Sequence, residues 1–262
     1  MGGTYSEPVR SLVGEGYVAF IFRSYDKLRI LHANAQVHEI VVRIVRDVSS
    51  DQDVVTESKY GSVQFRLPGS PFSSTCGKDS AKLGKVFTQK LLEELFVAGY
   101  DLLTCADLSR AFDQGTLIFK QTLISGERPR KTIIGVAPYG TDKLHLINCS
   151  DGVVQTVLDA IGASWHPGIQ SQSENDNSLC EVKMKGNPWS SESSDESLMA
   201  RRMLIEIVGG LSTLNWKFHA AINIRHGCGN CLFFIYDERH CMMTSDLAVL
   251  SPSEFSLSFT SI

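Results

Sequence analysis

The apolar and polar positions of this chain follow one pattern, and they follow it twice. Two short alternating stretches, Tyr17 to Arg23 and Lys27 to His32, flank Ser24-Tyr25-Asp26 and predict a β-hairpin. A helical period comes next in Val37, Val41, Val42 and Val45, with Asn34 placed as its N-cap. A polar loop over 49–62 leads into an alternating strand through Val63, Phe65 and Leu67. That strand stops at Gly69-Ser70-Pro71-Phe72, where glycine permits an unusual backbone angle and proline withholds a hydrogen-bond donor. Leu83, Phe87, Leu91, Leu92, Leu95 and Phe96 then mark a long amphipathic helix. Strands at Tyr100 to Ala106 and Thr116 to Phe119 close the unit.

The same order returns about 116 positions later. Lys143 to Asn148 repeats the second strand after the turn at 138–142. Val153, Val157, Leu158 and Ile161 repeat the first helix, with Asp151 as its cap. A polar loop over 168–178 precedes the strand of Cys180, Val182 and Met184, which ends at Gly186-Asn187-Pro188-Trp189. The second helix returns as Met199, Met203, Leu204, Ile207, Val208 and Leu211, and the closing strands as Trp216 to Ile224 and Cys231 to Ile235. Asp26-Lys27-Leu28 matches Asp142-Lys143-Leu144, Tyr100 matches Trp216 and Asp107 matches Asn223. Anchors in one order at nearly constant spacing indicate tandem duplication. The expected fold is α+β: two tandem copies of a β-β-α-β-α-β-β unit, each a mixed sheet with helices packed on one face. The copies are expected to pack about a pseudo-twofold axis. The divisions are a flexible N-terminus over 1–14, repeat 1 over 15–124, a linker over 125–130, repeat 2 over 131–240 and a tail over 241–262. In the tail, Phe255, Leu257 and Phe259 alternate and suit one extra edge strand.

Composition narrows the function classes. A net charge of −4 and a basic cluster confined to Arg128-Pro129-Arg130-Lys131, between the repeats, disfavour nucleic-acid binding. No apolar run reaches the roughly 18 residues of a transmembrane helix, and no signal peptide is expected. The seven cysteines have no cysteine partners at the matched repeat positions. A secreted disulfide framework duplicates with its domain, so reduced thiols in the cytoplasm are expected.

Four features carry candidate chemistry. Phe72 and Trp189, matched aromatics at strand ends, are candidate partner-binding residues, joined by Trp165; packing against the core is the competing reading. Met1-Gly2-Gly3-Thr4-Tyr5-Ser6 fits the N-myristoylation pattern at Gly2, although Glu7 stands where a basic residue is favoured. Cys228, Cys231, His240 and Cys241 are of the types zinc prefers. Copy one has no counterpart to them, so no metal is expected. The acidic serine run 190–197 suits a helix start and offers phosphorylation sites. No catalytic signature is present, and no cofactor is expected.

The resulting expectation is a non-catalytic interaction or adaptor protein, with protein partners, peripheral membrane recruitment through Gly2 and no nucleic acid. Its location is then cytoplasmic, at the cytoplasmic face of a membrane when acylated. The alternative is an enzyme or small-molecule sensor with one site between the repeats. A filled apolar seam favours the first, and a cleft with convergent polar groups favours the second.

Overall fold

Strands β1 (Tyr17–Arg23) and β2 (Lys27–Leu31) form the predicted hairpin. Their alternation puts Val18, Phe20, Phe22, Leu28 and Ile30 on one buried face. Helix α1 (Ala35–Val48) starts at Asn34, whose side-chain oxygen accepts the Val37 N–H at 2.9 Å. Then come β3 (Thr56–Lys59), β4 (Ser62–Arg66), α2 (Lys78–Val97), β5 (Tyr100–Ala106) and β6 (Asp113–Gln121). Copy two repeats the series as β7 (Ile133–Tyr139), β8 (Lys143–Ile147), α3 (Asp151–Ser164), β9 (Ile169–Asn175), β10 (Leu179–Met184), α4 (Ser194–Thr213), β11 (Trp216–Ile222) and β12 (Cys231–Tyr236). The computed structural model describes residues 16–49, 56–59, 62–107, 113–122, 126–175, 178–225 and 229–238. Gly2, the N-terminal segment over 1–14 and the tail over 241–262 lie outside these residues.

The two sheets have matching orders, β3-β4-β2-β1-β6-β5 and β9-β10-β8-β7-β12-β11. The duplicated α+β unit is therefore present, with two differences from the pattern read in the sequence. Each copy has a sixth strand, β3 or β9, inside the stretch expected as a polar loop. That strand turns the chain once more before β4 or β10, so every pairing is antiparallel rather than mixed. A smaller shift concerns α3: Ser150 is its N-cap, and Asp151 sits in the first turn, at the positive end of the helix.

The copies stack rather than pack as a symmetric pair. In copy one, Phe20, Phe22, Phe65 and Phe119 of the sheet share a core with Val41 and Val45 of α1 and Phe87, Leu91 and Leu95 of α2. The same core continues into Ile133, Ala137, Ile147, Ile222 and Phe233 of copy two. Those residues face away from α3 and α4, which cover Ile134, Val136, Leu144, Leu146 and Phe234 on the other side. The second sheet is thus buried on both faces, and its outward face lies on α2. In copy one the matching outward positions Tyr17, Ala19 and Ile21 remain partly exposed. A twofold arrangement would have laid α4 on that face, and α4 does not go there.

Candidate functional site

The seam between the copies brings together polar side chains that sequence periodicity assigns to solvent. Along α2, Lys85, Gln89 and Glu93 recur every four residues and form one stripe. Gln89 donates to the Ile133 carbonyl at 3.0 Å, and Glu93 accepts the Ile133 N–H at 2.7 Å. Lys85, 3% exposed, donates from Nζ to His145 Nδ1 at 2.8 Å. His145 on β8 is fully buried and lies directly across from Glu181 on β10. The ammonium makes Nδ1 the acceptor, so the imidazole proton sits on Nε2 and is donated to Glu181 at 3.0 Å. Glu181 also accepts from Lys78 at 3.2 Å and pairs ionically with Lys143 at 3.4 Å.

Burial, reinforced by the neighbouring Lys85 charge, pushes the His145 pKa down to about 3. For Glu181, desolvation is the largest single effect and raises the carboxyl. Hydrogen bonds from His145 and Lys78, with the nearby positive charge, outweigh it and hold the group below its usual range. Acid, imidazole and amine thus form one chain across the seam, with His145 0% exposed at its centre.

One end of the seam opens into a cleft of about 910 Å³. Its walls include Tyr139, Lys143, Trp189, Arg201 and Arg225. Tyr139 stacks on His145 with ring centroids 4.3 Å apart, which joins the cleft floor to the buried network. Arg225 reaches across the seam, donating from Nε and Nη2 to the Ser73 and Ser74 carbonyls, both at 2.9 Å. The matched residues Asp107 and Asn223 meet nearby, with Asn223 Nδ2 donating to Asp107 at 3.4 Å. The Asn223 carbonyl accepts the Gly115 N–H at 3.0 Å.

The residues singled out from sequence are distributed otherwise. Phe72 is fully buried, its ring 5.0 Å from that of Phe22, and Trp165 is fully buried with Nε1 donating to the Lys185 carbonyl at 2.8 Å. Both are core residues with no surface left for a partner. Trp189 is half-buried on the cleft wall, and its Nε1 donates to the Lys143 carbonyl at 2.7 Å. Cys231 is a core residue on β12 whose thiol burial pushes up to about 12. Cys228, His240 and Cys241 lie outside the described residues, among which no three metal-ligating side chains cluster. Cys105 likewise is pushed up to about 11 by burial, and burial raises Cys149 further. These thiols stay protonated and are poor nucleophiles at neutral pH.

A second surface stands out on α4. Leu198 and Ile205 are 64% and 70% exposed, and Val208 continues the same side of the helix. Among the described residues, no helix is long and apolar enough to cross a membrane.

One domain-family model matches the chain twice, over residues 17–121 and 132–243, and the chain belongs to that family as a tandem carrier of its domain. No curated protein and no solved structure matches it.

Proposed function

We propose that the protein is a non-catalytic interaction module, an adaptor that docks a protein partner on the outward face of α4. The observation that carries this reading is a matched pair of helix faces. Lys85, Gln89 and Glu93 of α2 lie under the second sheet. The corresponding positions of α4 are Arg201, Ile205 and Gly209, with Ile205 70% exposed and open space beside Gly209. The fold therefore contains one worked example of what covers such a face. It is the flat side of an antiparallel sheet, apolar at its centre, with a carboxylate near the helix cation.

A partner offering that chemistry suits α4, and a second copy of this chain does not. The face it would bring carries Lys27 and Arg29 where β8 has Lys143 and His145. It carries Gln64, across from Arg29, where β10 has Glu181 across from His145. Arg201 would meet Lys27 and Arg29, with the neutral Gln64 at the Glu181 position, a like-charge contact that selects against the pairing. The cleft at one end of the seam, lined by Asp142, Lys143, Arg201 and Arg225, is the observation that favours the second reading, an enzyme or small-molecule sensor with one site between the copies.

The test places a benzophenone amino acid at position 205 of the full chain in cells. The expected result is one specific adduct, whose purified partner binds Ile205→Glu at least roughly tenfold more weakly than wild type. No adduct, or a partner indifferent to that substitution, overturns the reading.

Recruitment to membranes through acylated Gly2 belongs to the same proposal, as a means of concentrating the adaptor near its partner. A single myristoyl chain binds membranes marginally, so the partner supplies the second attachment. Intact mass is expected to show myristate on wild type and none on Gly2→Ala, with only the former in a membrane fraction. Unmodified wild type removes this part of the proposal.

A further inference from the structure

We propose that the cleft between the copies binds a phosphate-bearing small molecule. Arg225, Lys143 and Arg201 hold the phosphate, and Tyr139 and Trp189 flank the organic portion. The argument begins with Arg225. It is 4% exposed, yet among the described residues its guanidinium has backbone carbonyls and a tyrosine ring for company, 5.2 Å from the Tyr139 centroid. Buried charges in proteins are ordinarily matched by an opposite charge. Among the described residues no carboxylate pairs with this one.

The neighbouring charges do not correct the imbalance. Lys143 lies 5.8 Å and Lys85 4.8 Å from the same ring centroid, so three cations converge on one aromatic ring. Its carboxylate, Glu181, is shared with Lys78 and His145. Asp142, the carboxylate on the cleft wall, pairs with Lys183 at 3.7 Å. Arg201 adds a further cation from α4, and its contacts are to Ser197 within its own helix. Ser74, Thr75 and Ser191 add polar groups to the wall.

A phosphate dianion meets this need better than a carboxylate. It offers three acceptor oxygens and suits a guanidinium beside an ammonium. The volume of about 910 Å³ exceeds what a bare phosphate fills and lies within the range of sites for small organic ligands. Two aromatic side chains on its walls give an organic ring something to pack against.

The probe is phenyl phosphate, titrated calorimetrically into the full chain at low ionic strength, where charge contacts are least screened. The expected result is saturable one-to-one binding. Arg225→Gln abolishes it, and Arg201→Gln weakens it by roughly tenfold. Because Arg225 also ties the copies together, Arg201→Gln is the deciding variant: its loss leaves the seam contacts intact, which an unchanged melting temperature verifies. Wild type without saturable binding, or binding that Arg201→Gln leaves unchanged, overturns the proposal.

Discussion

Glu181→Ala is expected to destabilise the protein by about 3–5 kcal/mol, the range seen when one member of a buried ionic network is removed. The carboxylate is 8% exposed, receives hydrogen bonds from His145 and Lys78, and forms an ion pair with Lys143. Without it, the imidazole Nε2–H points at nothing, and Lys85 and Lys143 repel one another across a poorly solvated seam. Glu181→Gln should cost less, since an amide oxygen still accepts a hydrogen bond, and copy one already carries Gln64 at the equivalent register. The triple replacement Lys85→Met, His145→Phe, Glu181→Leu removes the buried amine, imidazole and acid at once and leaves the partly exposed Lys78 and Lys143 to solvent. It is expected to recover most of the loss, because apolar side chains of similar volume are often neutral or better in place of a buried ionic group. Urea unfolding of the three variants separates the cases. A loss under about 1 kcal/mol for Glu181→Ala would mean the seam is solvated and the network contributes little.

The repeat, the order of its long elements and the Asn34 cap were legible because each depends on local pattern. Period 3.6 and period 2 differ plainly in Val37 to Val45 and in Tyr17 to Arg23. The edge strand β9 was not, since Gln170, Ser171, Gln172 and Ser173 are exposed and lack an apolar face. Nor was the stacking of the copies. Lys85, Gln89, His145 and Glu181 are polar, and polarity at those positions ordinarily indicates solvent. Only the fold reveals that α2 and the second sheet cover one another there. Phe72 and Trp165 are the reverse case, aromatics beside the ends of elements that turn inward to close the core, which for Phe72 is the packing reading weighed from its sequence position. The cleft drew on five separated segments, around Ser74, Tyr139, Trp189, Arg201 and Arg225, and no spacing in the sequence connects them. One sequence-level sign did exist. Copy one has Arg29 and Gln64 where copy two has His145 and Glu181, an asymmetry at matched strand positions that marks the two sheet faces as serving different neighbours.

Acidification is expected to destabilise the protein steeply from about pH 6.5 downward, well before ordinary carboxylates titrate. His145 in the unfolded chain takes up a proton near pH 6.5, whereas in the folded chain burial and the Lys85 charge delay this until about 3. Between those values the unfolded state binds more protons, so stability falls as pH falls. Glu181 acts in the same direction at lower pH. Its depressed carboxyl contributes stability above the unfolded carboxylate pKa near 4.3, and that stability disappears as pH drops through the folded value. His219, also lowered by burial, adds to the loss. Glu93 opposes it: burial raises its pKa, so its protonation in the folded state offsets part of the decline just above the usual carboxylate range. Each unit of His145 depression corresponds to about 1.4 kcal/mol, which makes this one side chain the steepest contributor between pH 6 and pH 4. His145→Gln provides the control, because an amide can accept from Lys85 and donate to Glu181 without titrating. Melting temperatures at intervals from pH 7.5 to pH 4 should therefore fall sharply for wild type and much less for His145→Gln. Parallel curves for the two proteins would mean that the imidazole is protonated within the seam, with a carboxylate–imidazolium pair in place of the neutral relay.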